Sequence, residues 1–349
     1  MSRVSVGVVG CGYWGPNLIR NFAALRNASL VAVCDLNAER LESQVSAYPG
    51  VRGFTSVEAM LSEVDLDAVV VATAAHTHYH IAKEALLRGK HVFVEKPLTL
   101  SSSEAVELVK LARGRRLILM VGHLLKYHPG ITVVKRYVDS GELGEIRYLY
   151  SQRVNLGIVR SEENALWSLA PHDIAVMCYL VGSEPEEVSA NGAAYLQPGI
   201  EDVVFATIKF CNGVMANLHV SWLDPHKIRK LTVVGSRKMV VFDDMSPSQK
   251  VILYDKGVDQ HGTVGYPDSL SIRSGDIFVP QIETTEPLRL ECQHFLDCIK
   301  RGQTPLSDGL DGLRVVRVLE AADCSLKSGG KPVVIGDLPV SLPVDANTP

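Results

Sequence analysis

The hydrophobic pattern changes character once along this chain. Up to about residue 125, short β-branched runs alternate with stretches that keep the 3.6-residue helical period. The runs predict strands at residues 4–10, 30–35, 68–73, 91–95 and 117–122. The intervening stretches predict helices at 16–26, 38–48, 77–88 and 102–113. Pro16 suits a first helical turn, where its missing N–H removes nothing, and Ser101 to Ser103 are candidate N-caps before Glu104. The run Ala68-Val69-Val70-Val71-Ala72 has no polar face. It therefore implies burial on both sides, and so a parallel sheet covered by helices. This half reads as a doubly wound α/β domain.

From residue 146 to about 279 the runs lengthen and alternate. Strands are predicted near 147–153, 203–210, 214–222, 230–234, 239–243 and 250–254. Cys211-Asn212-Gly213 reads as a hairpin turn, and Val234-Gly235-Ser236 as another turn. The pattern implies a largely antiparallel sheet with one open face, interrupted by a helix over 171–181. Residues 256–286, rich in Gly, Asp and Ser, read as an irregular excursion. Helices return at 288–301 and 310–328. The expected fold is α/β in two domains, a Rossmann domain at 1–125 and a second, mainly antiparallel domain at 126–349.

Composition narrows the class. A chain of 349 residues with 46% hydrophobic and 21% charged positions is an ordinary globular protein with ample core. A net charge of −4 gives no reason to expect nucleic acid as a partner. No run of 18 apolar residues exists to cross a membrane, and no secretory leader precedes the first strand. Seven dispersed cysteines without a Cys-x-x-Cys pair read as reduced core residues. The expectation is a cytoplasmic protein without a metal.

The chemistry begins at Gly10-Cys11-Gly12-Tyr13-Trp14-Gly15, which closes the first strand and opens a helix. Gly10 and Gly12 permit the tight turn and close approach to a pyrophosphate. Gly15 lets helix and strand pack, and the helix start offers free N–H groups. Asp35, ending the second strand, would accept hydrogen bonds from an adenosine ribose and repel a 2′-phosphate. NAD is thereby favoured over NADP, although Arg40 lies close by. Tyr13 and Trp14 within the loop, and Thr73, His78 and Glu95 further on, complete the expected cofactor set. His76, His78 and His80 follow a strand end without an acidic companion, which argues against a metal and for a wall of the nicotinamide pocket. Lys96, between Glu95 and Pro97, is a lysine at a strand end whose proton affinity a cofactor cleft would depress. Pro171-His172-Asp173 places His172 at an expected helix start, where it would stay neutral and accept a proton.

Together, Gly10-x-Gly12-x-x-Gly15, His78, the run Gly89 to Leu98 through Glu95-Lys96-Pro97, Val121-Gly122-His123, Pro171-His172-Asp173 and Gly312 to Val316 resemble the Gfo/Idh/MocA family. The likeness spans nearly the whole chain. It implies a Rossmann domain joined to an α/β domain whose open sheet forms a homodimer or homotetramer interface. It also implies hydride transfer between a nicotinamide and a sugar or cyclitol carbon, with Lys96 and His172 as the catalytic pair. Two positions depart from the family pattern: Ser168 stands where an Asp is common, and Ala74 where a Pro is common. Serine bears no charge, so proton handling falls on Lys96 and His172. The segments Arg153 to Gly157 and Asn164 to Trp167 resemble the nucleotide-sugar branch. That branch implies oxidation at C3 of a UDP-N-acetylhexosamine, first UDP-N-acetylglucosamine, with a UDP-N-acetylglucosaminuronate next. Arg153, Asn155, Arg160, Asn164, Trp167, Ser168, Lys96 and His172 form the expected substrate set. A free aldose or inositol is the alternative substrate, and a non-catalytic NAD-binding sensor the alternative of another class.

Overall fold

A computed structural model describes residues 3–261 and 269–336. In chain order the first elements are β1 (Val4–Val9), α1 (Gly15–Ala24), β2 (Ala28–Cys34), α2 (Ala38–Ala47), β3 (Arg52–Phe54), α3 (Val57–Glu63), β4 (Ala68–Val71) and α4 (Ala75–Leu87). Then come β5 (His91–Glu95), α5 (Ser102–Gly114), β6 (Leu119–Gly122), a 3-10 turn at Leu124–Tyr127, α6 (Pro129–Asp139), β7 (Ile146–Val154) and α7 (Ala165–Val181). They are followed by β8 (Pro185–Ala193), β9 (Val203–Phe210), β10 (Met215–Ser221), β11 (Ile228–Gly235), β12 (Met239–Asp243), β13 (Val251–His261) and β14 (Ser269–Phe278). The described chain ends with α8 (Pro287–Arg301), α9 (Gly309–Lys327) and β15 (Val333–Val334).

The chain divides by its contacts into two units. The first contains the described residues up to His123 together with Leu288–Arg317 and Gly336. Its six strands run in the order β3-β2-β1-β4-β5-β6, all parallel. This is the doubly wound order that brings the ends of β1 and β4 side by side. All four residues of β4 are fully buried, as its unbroken apolar run required. Helix α8 belongs here despite its distance in sequence. Its Phe295 lies edge-on to Phe93 of β5 and to Phe22 of α1, with ring centroids 5.7 and 6.4 Å apart. Just beyond it, Ser307 and Asp308 close the free edge of the sheet: the Val121 N–H donates to the Ser307 carbonyl at 2.8 Å, and Met120 bridges to Asp308.

The second unit, Leu124–Pro287 with Val318–Ile335, holds a nine-stranded sheet ordered β14-β13-β12-β11-β7-β10-β9-β8-β15. Every pairing is antiparallel except β7 with β10. One face packs beneath α7 through Leu149, Ala216, Leu218, Val204 and Ile208, while Tyr148, Tyr150, Phe205 and Met215 point outward and are exposed. The alternation expected from the sequence is therefore present. The Cys211–Gly213 turn joins β9 to β10 as a hairpin, with Gly213 at a positive φ of 86°.

Two expectations change. Within 256–286, expected to be an irregular excursion, the described residues up to 261 and from 269 to 278 belong instead to β13 and β14, an antiparallel pair in which Val258 faces Ile272 and Lys256 faces Ser274, while 279–286 are irregular as expected. Cross-strand pairing outweighs the scattered Gly and Ser that hid it; residues 262–268 lie outside the described set. Helix α7 also begins six residues earlier than expected, at Ala165, and carries Pro171 inside it. Its first turn is fixed by Asn164, whose side chain accepts the Trp167 N–H at 3.1 Å.

Phe295→Ala removes a ring that joins α8 to two elements of the first sheet. It should lower the free energy of unfolding by about 3–5 kcal/mol, as read by urea denaturation.

Candidate active site

The glycine loop is built by contacts that exclude side chains. Gly10 has φ of +99°, and a Cβ there would stand 2.6 Å from the Ala72 carbonyl oxygen. A Cβ on Gly15 would stand 1.9 Å from the carbonyl oxygen of Gly10. Both glycines are thus demanded by the fold itself. Gly12 is not: its φ is ordinary and a Cβ would meet nothing closer than an Arg40 nitrogen at 3.9 Å. That open space above a helix start is what a close-lying pyrophosphate needs, so the loop fits a dinucleotide. Asp35 ties this loop down, accepting the Cys11 N–H at 2.6 Å and the Asn37 N–H at 2.8 Å. Its carboxylate keeps lone pairs for a ribose hydroxyl. Cys11 is buried, and desolvation followed by the Asp35 charge pushes its thiol up to about 12, which makes it a packing group. Tyr13 and Leu36 stand out on the surface beside the loop, 83% and 89% exposed.

Lys96 follows the last residue of β5, ahead of a cis bond to Pro97. His78 holds this exit in place. One ring nitrogen lies 2.8 Å from the Pro97 carbonyl oxygen and the other 3.1 Å from that of Thr73. Burial lowers the His78 pKa and favours the neutral ring, against the opposite pull of the two carbonyl contacts. At 1% exposure, His78 offers a ligand no surface. Expected in the pocket wall, it works one layer behind, as a clamp between α4 and the lysine loop. Among the described residues no cluster of three metal-ligating side chains exists, and His76 and His80 stand exposed.

Glu95 is closely enclosed. Its carboxylate accepts the Lys96 N–H at 3.3 Å and the Trp14 side-chain donor from the glycine loop. It also lies over Gly122, where a Cβ would come within 2.9 Å of it. Desolvation pushes its pKa up to about 7 against the pull of Lys96. Gly122 is therefore a site residue that the sequence reading used only as part of a family pattern.

In the second unit, α7 presents His172 in its eighth position, half-buried, not at a helix start. The helix-terminus argument for its neutrality does not apply, because Asn164 begins the helix two turns earlier. Arg153 and Asp173 form a buried ion pair at 2.5 Å that ties β7 to the turn carrying His172. The crevice beside them, bordered also by Arg229 and Phe242, has room for only about 10 Å³, roughly one water. Arg153, expected on a sugar or phosphate, is therefore spent on Asp173. Asn164, expected on the substrate as well, donates to Glu201 at 2.7 Å while capping α7. Arg160 pairs with Glu163 at 3.0 Å on an exposed turn. Asn155 and Trp167 remain half-exposed, and Ser168 is buried. The signal in the sequence was the alternation of β7, which puts Arg153 on the buried face with Leu149 and Ser151.

Comparison with known proteins follows this division. Residues 4–123 match the model described as the oxidoreductase family, NAD-binding Rossmann fold, and residues 131–241 match the GFO/IDH/MocA C-terminal domain. The chain is 31% identical over 317 residues, 90% of its length and 95% of the relative's, to UDP-N-acetylglucosamine 3-dehydrogenase of Acidithiobacillus ferrooxidans. A solved structure of that enzyme superposes with a TM-score of 0.79 at 28% identity, covering 94% of this chain and 99% of the other. The chain is also 28% identical to scyllo-inositol 2-dehydrogenase (NAD(+)) of Bacillus subtilis, over 94% of its own length and 95% of the relative's.

Two consequences are measurable. Gly12→Ala should leave thermal unfolding unchanged but weaken dinucleotide binding by calorimetry, whereas Gly15→Ala should fail to reach a stable fold. Arg153→Ala strands a buried carboxylate, and urea unfolding should record a loss of about 3–5 kcal/mol.

Proposed function

Since the chain belongs to the Gfo/Idh/MocA oxidoreductase family, we propose that it oxidises the C3 hydroxyl of a UDP-N-acetylhexosamine, UDP-N-acetylglucosamine first, with NAD. The 3-keto product suits an aminotransferase as next enzyme, in the building of amino sugars for surface polysaccharide or lipid A. The observation that carries the reading is Lys96, held at the end of β5 by the His78 clamp, in a chain 31% identical over 90% of its length to a dehydrogenase of that substrate.

The chemistry balances with this chain's own groups. The bound nicotinamide supplies a hydride acceptor. Lys96, in its neutral form, takes the hydroxyl proton as the C3–H bond breaks, leaving a ketone. A positioned general base of this kind is commonly worth about 10²–10⁴ in rate. His172 is the second proton-handling group in this reading, since Ser168 carries no charge. Asp35 supports NAD over NADP, because its carboxylate would face a 2′-phosphate. The exposed Tyr148, Tyr150, Phe205 and Met215 support a dimer or tetramer built on the open sheet face. The absence of a helix long and apolar enough to cross a membrane, among the described residues, is compatible with a cytoplasmic enzyme.

Lys96→Ala should retain dinucleotide binding and lose at least a hundredfold in turnover, followed at the NADH absorbance. Wild-type turnover in that variant would refute the role of Lys96. The likeness to an inositol dehydrogenase favours one second reading, a free cyclitol or aldose as substrate. A panel of UDP-sugars, UDP-N-acetylglucosaminuronate, inositols and aldoses separates the two by kcat/KM.

A further inference from the structure

Helix α8 carries a carboxyl on its buried row. Its buried positions are Leu288, Glu291, Cys292, Phe295, Leu296 and Cys298. Glu291 is 0% exposed, and neither of its carboxyl oxygens has a hydrogen-bond partner among the described residues. A buried polar group of this kind calls for an explanation.

Register with β5 supplies one. Phe295 meets Phe93 edge-on. Two residues along β5, on the same face as Phe93, stands Glu95. One helical turn back from Phe295, on the same face of α8, stands Glu291. Glu95 and Glu291 thus share the buried faces that carry the phenylalanine pair, and Glu95 is near enough to act on Glu291 as a charge. Glu95 is further confined by Gly122 beneath it, by the Trp14 donor and by the Lys96 N–H.

We propose that Glu291 is a positioning residue of the redox site: with Glu95 it forms a carboxyl pair that keeps at least one proton, and the charge left on Glu95 sets how firmly Lys96 holds its own. The inference rests on the reading of Lys96 as the base. Two carboxyls facing each other away from water do not both ionise, and they titrate as a pair. Glu95 has donors and Glu291 has none, so the negative charge falls on Glu95 and the proton stays on Glu291. Burial, then repulsion from Glu95, hold Glu291 well above the usual carboxylate range. In the proposed pair a protonated Glu291 would turn its O–H to the Glu95 carboxylate, a stronger donor there than an amide N–H. The titratable and charged groups on neighbouring elements of the first unit include Lys96 after β5, His78 on α4, His123 after β6, His294 one turn further along α8, and the Asp311–Arg314 ion pair of α9. Of these only Lys96 acts as a charge on Glu95, and only Glu95 acts as one on Glu291.

Trp14 reports the pair without any turnover, because its side chain donates to Glu95. In the purified full chain, tryptophan fluorescence should titrate with a midpoint near neutrality, and Trp14→Phe should abolish the change. Glu291→Gln keeps the volume but removes the acid proton, so Glu95 should ionise less readily and the midpoint should rise by about half a pH unit or more. With Glu95 neutral over a wider range, Lys96 loses its counter-charge. The limb of the kcat/KM profile that reports Lys96 should then move to lower pH, with the KM for dinucleotide unchanged. An unmoved midpoint in Glu291→Gln overturns the coupling, and a lowered one overturns the assignment of the proton to Glu291. Should Glu291→Gln fail to fold, Glu95→Gln reads the same pair: the transition should vanish, and its persistence overturns the proposal. Absence of any redox turnover in the wild type would instead count against the dehydrogenase reading, while the fluorescence titration still tests the pair.

Discussion

The constraint on which the redox end of this protein depends is a backbone approach that leaves no room for side chains. The end of β1 lies so close to the end of β4 and to the first turn of α1 that a methyl group on Gly10 or Gly15 would overlap a carbonyl oxygen. This closeness puts the Cys11 N–H within reach of Asp35 and the Trp14 side chain within reach of Glu95. The glycine loop and the lysine end of β5 are therefore joined through Trp14 and Glu95.

Much of this was legible in the chain. Strand β5 and strands β9 and β12 follow unbroken or alternating runs bounded by turn residues, and their limits match the sequence reading. The β3 strand and α3 helix went unseen because three and seven residues are too few to display a period. Helix α7 was shortened by its own proline: Pro171 looks like a beginning, yet the capping oxygen belongs to Asn164, two turns earlier. A proline inside a helix is tolerated here because α7 is buried on nearly every side and held by packing.

The site was legible as a list of residues and less so as a set of roles. His78 and Arg153 were recognised as important, but both lie against protein groups: one between the carbonyl oxygens of Pro97 and Thr73, the other on Asp173. Glu291 escaped notice because a glutamate in an amphipathic helix ordinarily faces water. Only its spacing from Leu288 and Phe295, three and four residues away, placed it on the buried row. Where a polar side chain interrupts an apolar period, its role is decided by what lies opposite, which a single sequence does not display.

The membership of α8 in the first unit bears on how the protein is made. Synthesis delivers the six parallel strands within the first 122 residues, but Phe295, Glu291 and the Ser307 edge contact arrive much later. Until then the ribosome-bound chain carries a sheet with its β6 edge unpaired and the faces of Phe22 and Phe93 uncovered. The N-terminal domain is consequently first in order of translation but cannot be first to finish folding. A fragment ending near residue 125 would reproduce that unfinished state permanently, with the sticky edge and bare aromatic rings that invite association with other chains.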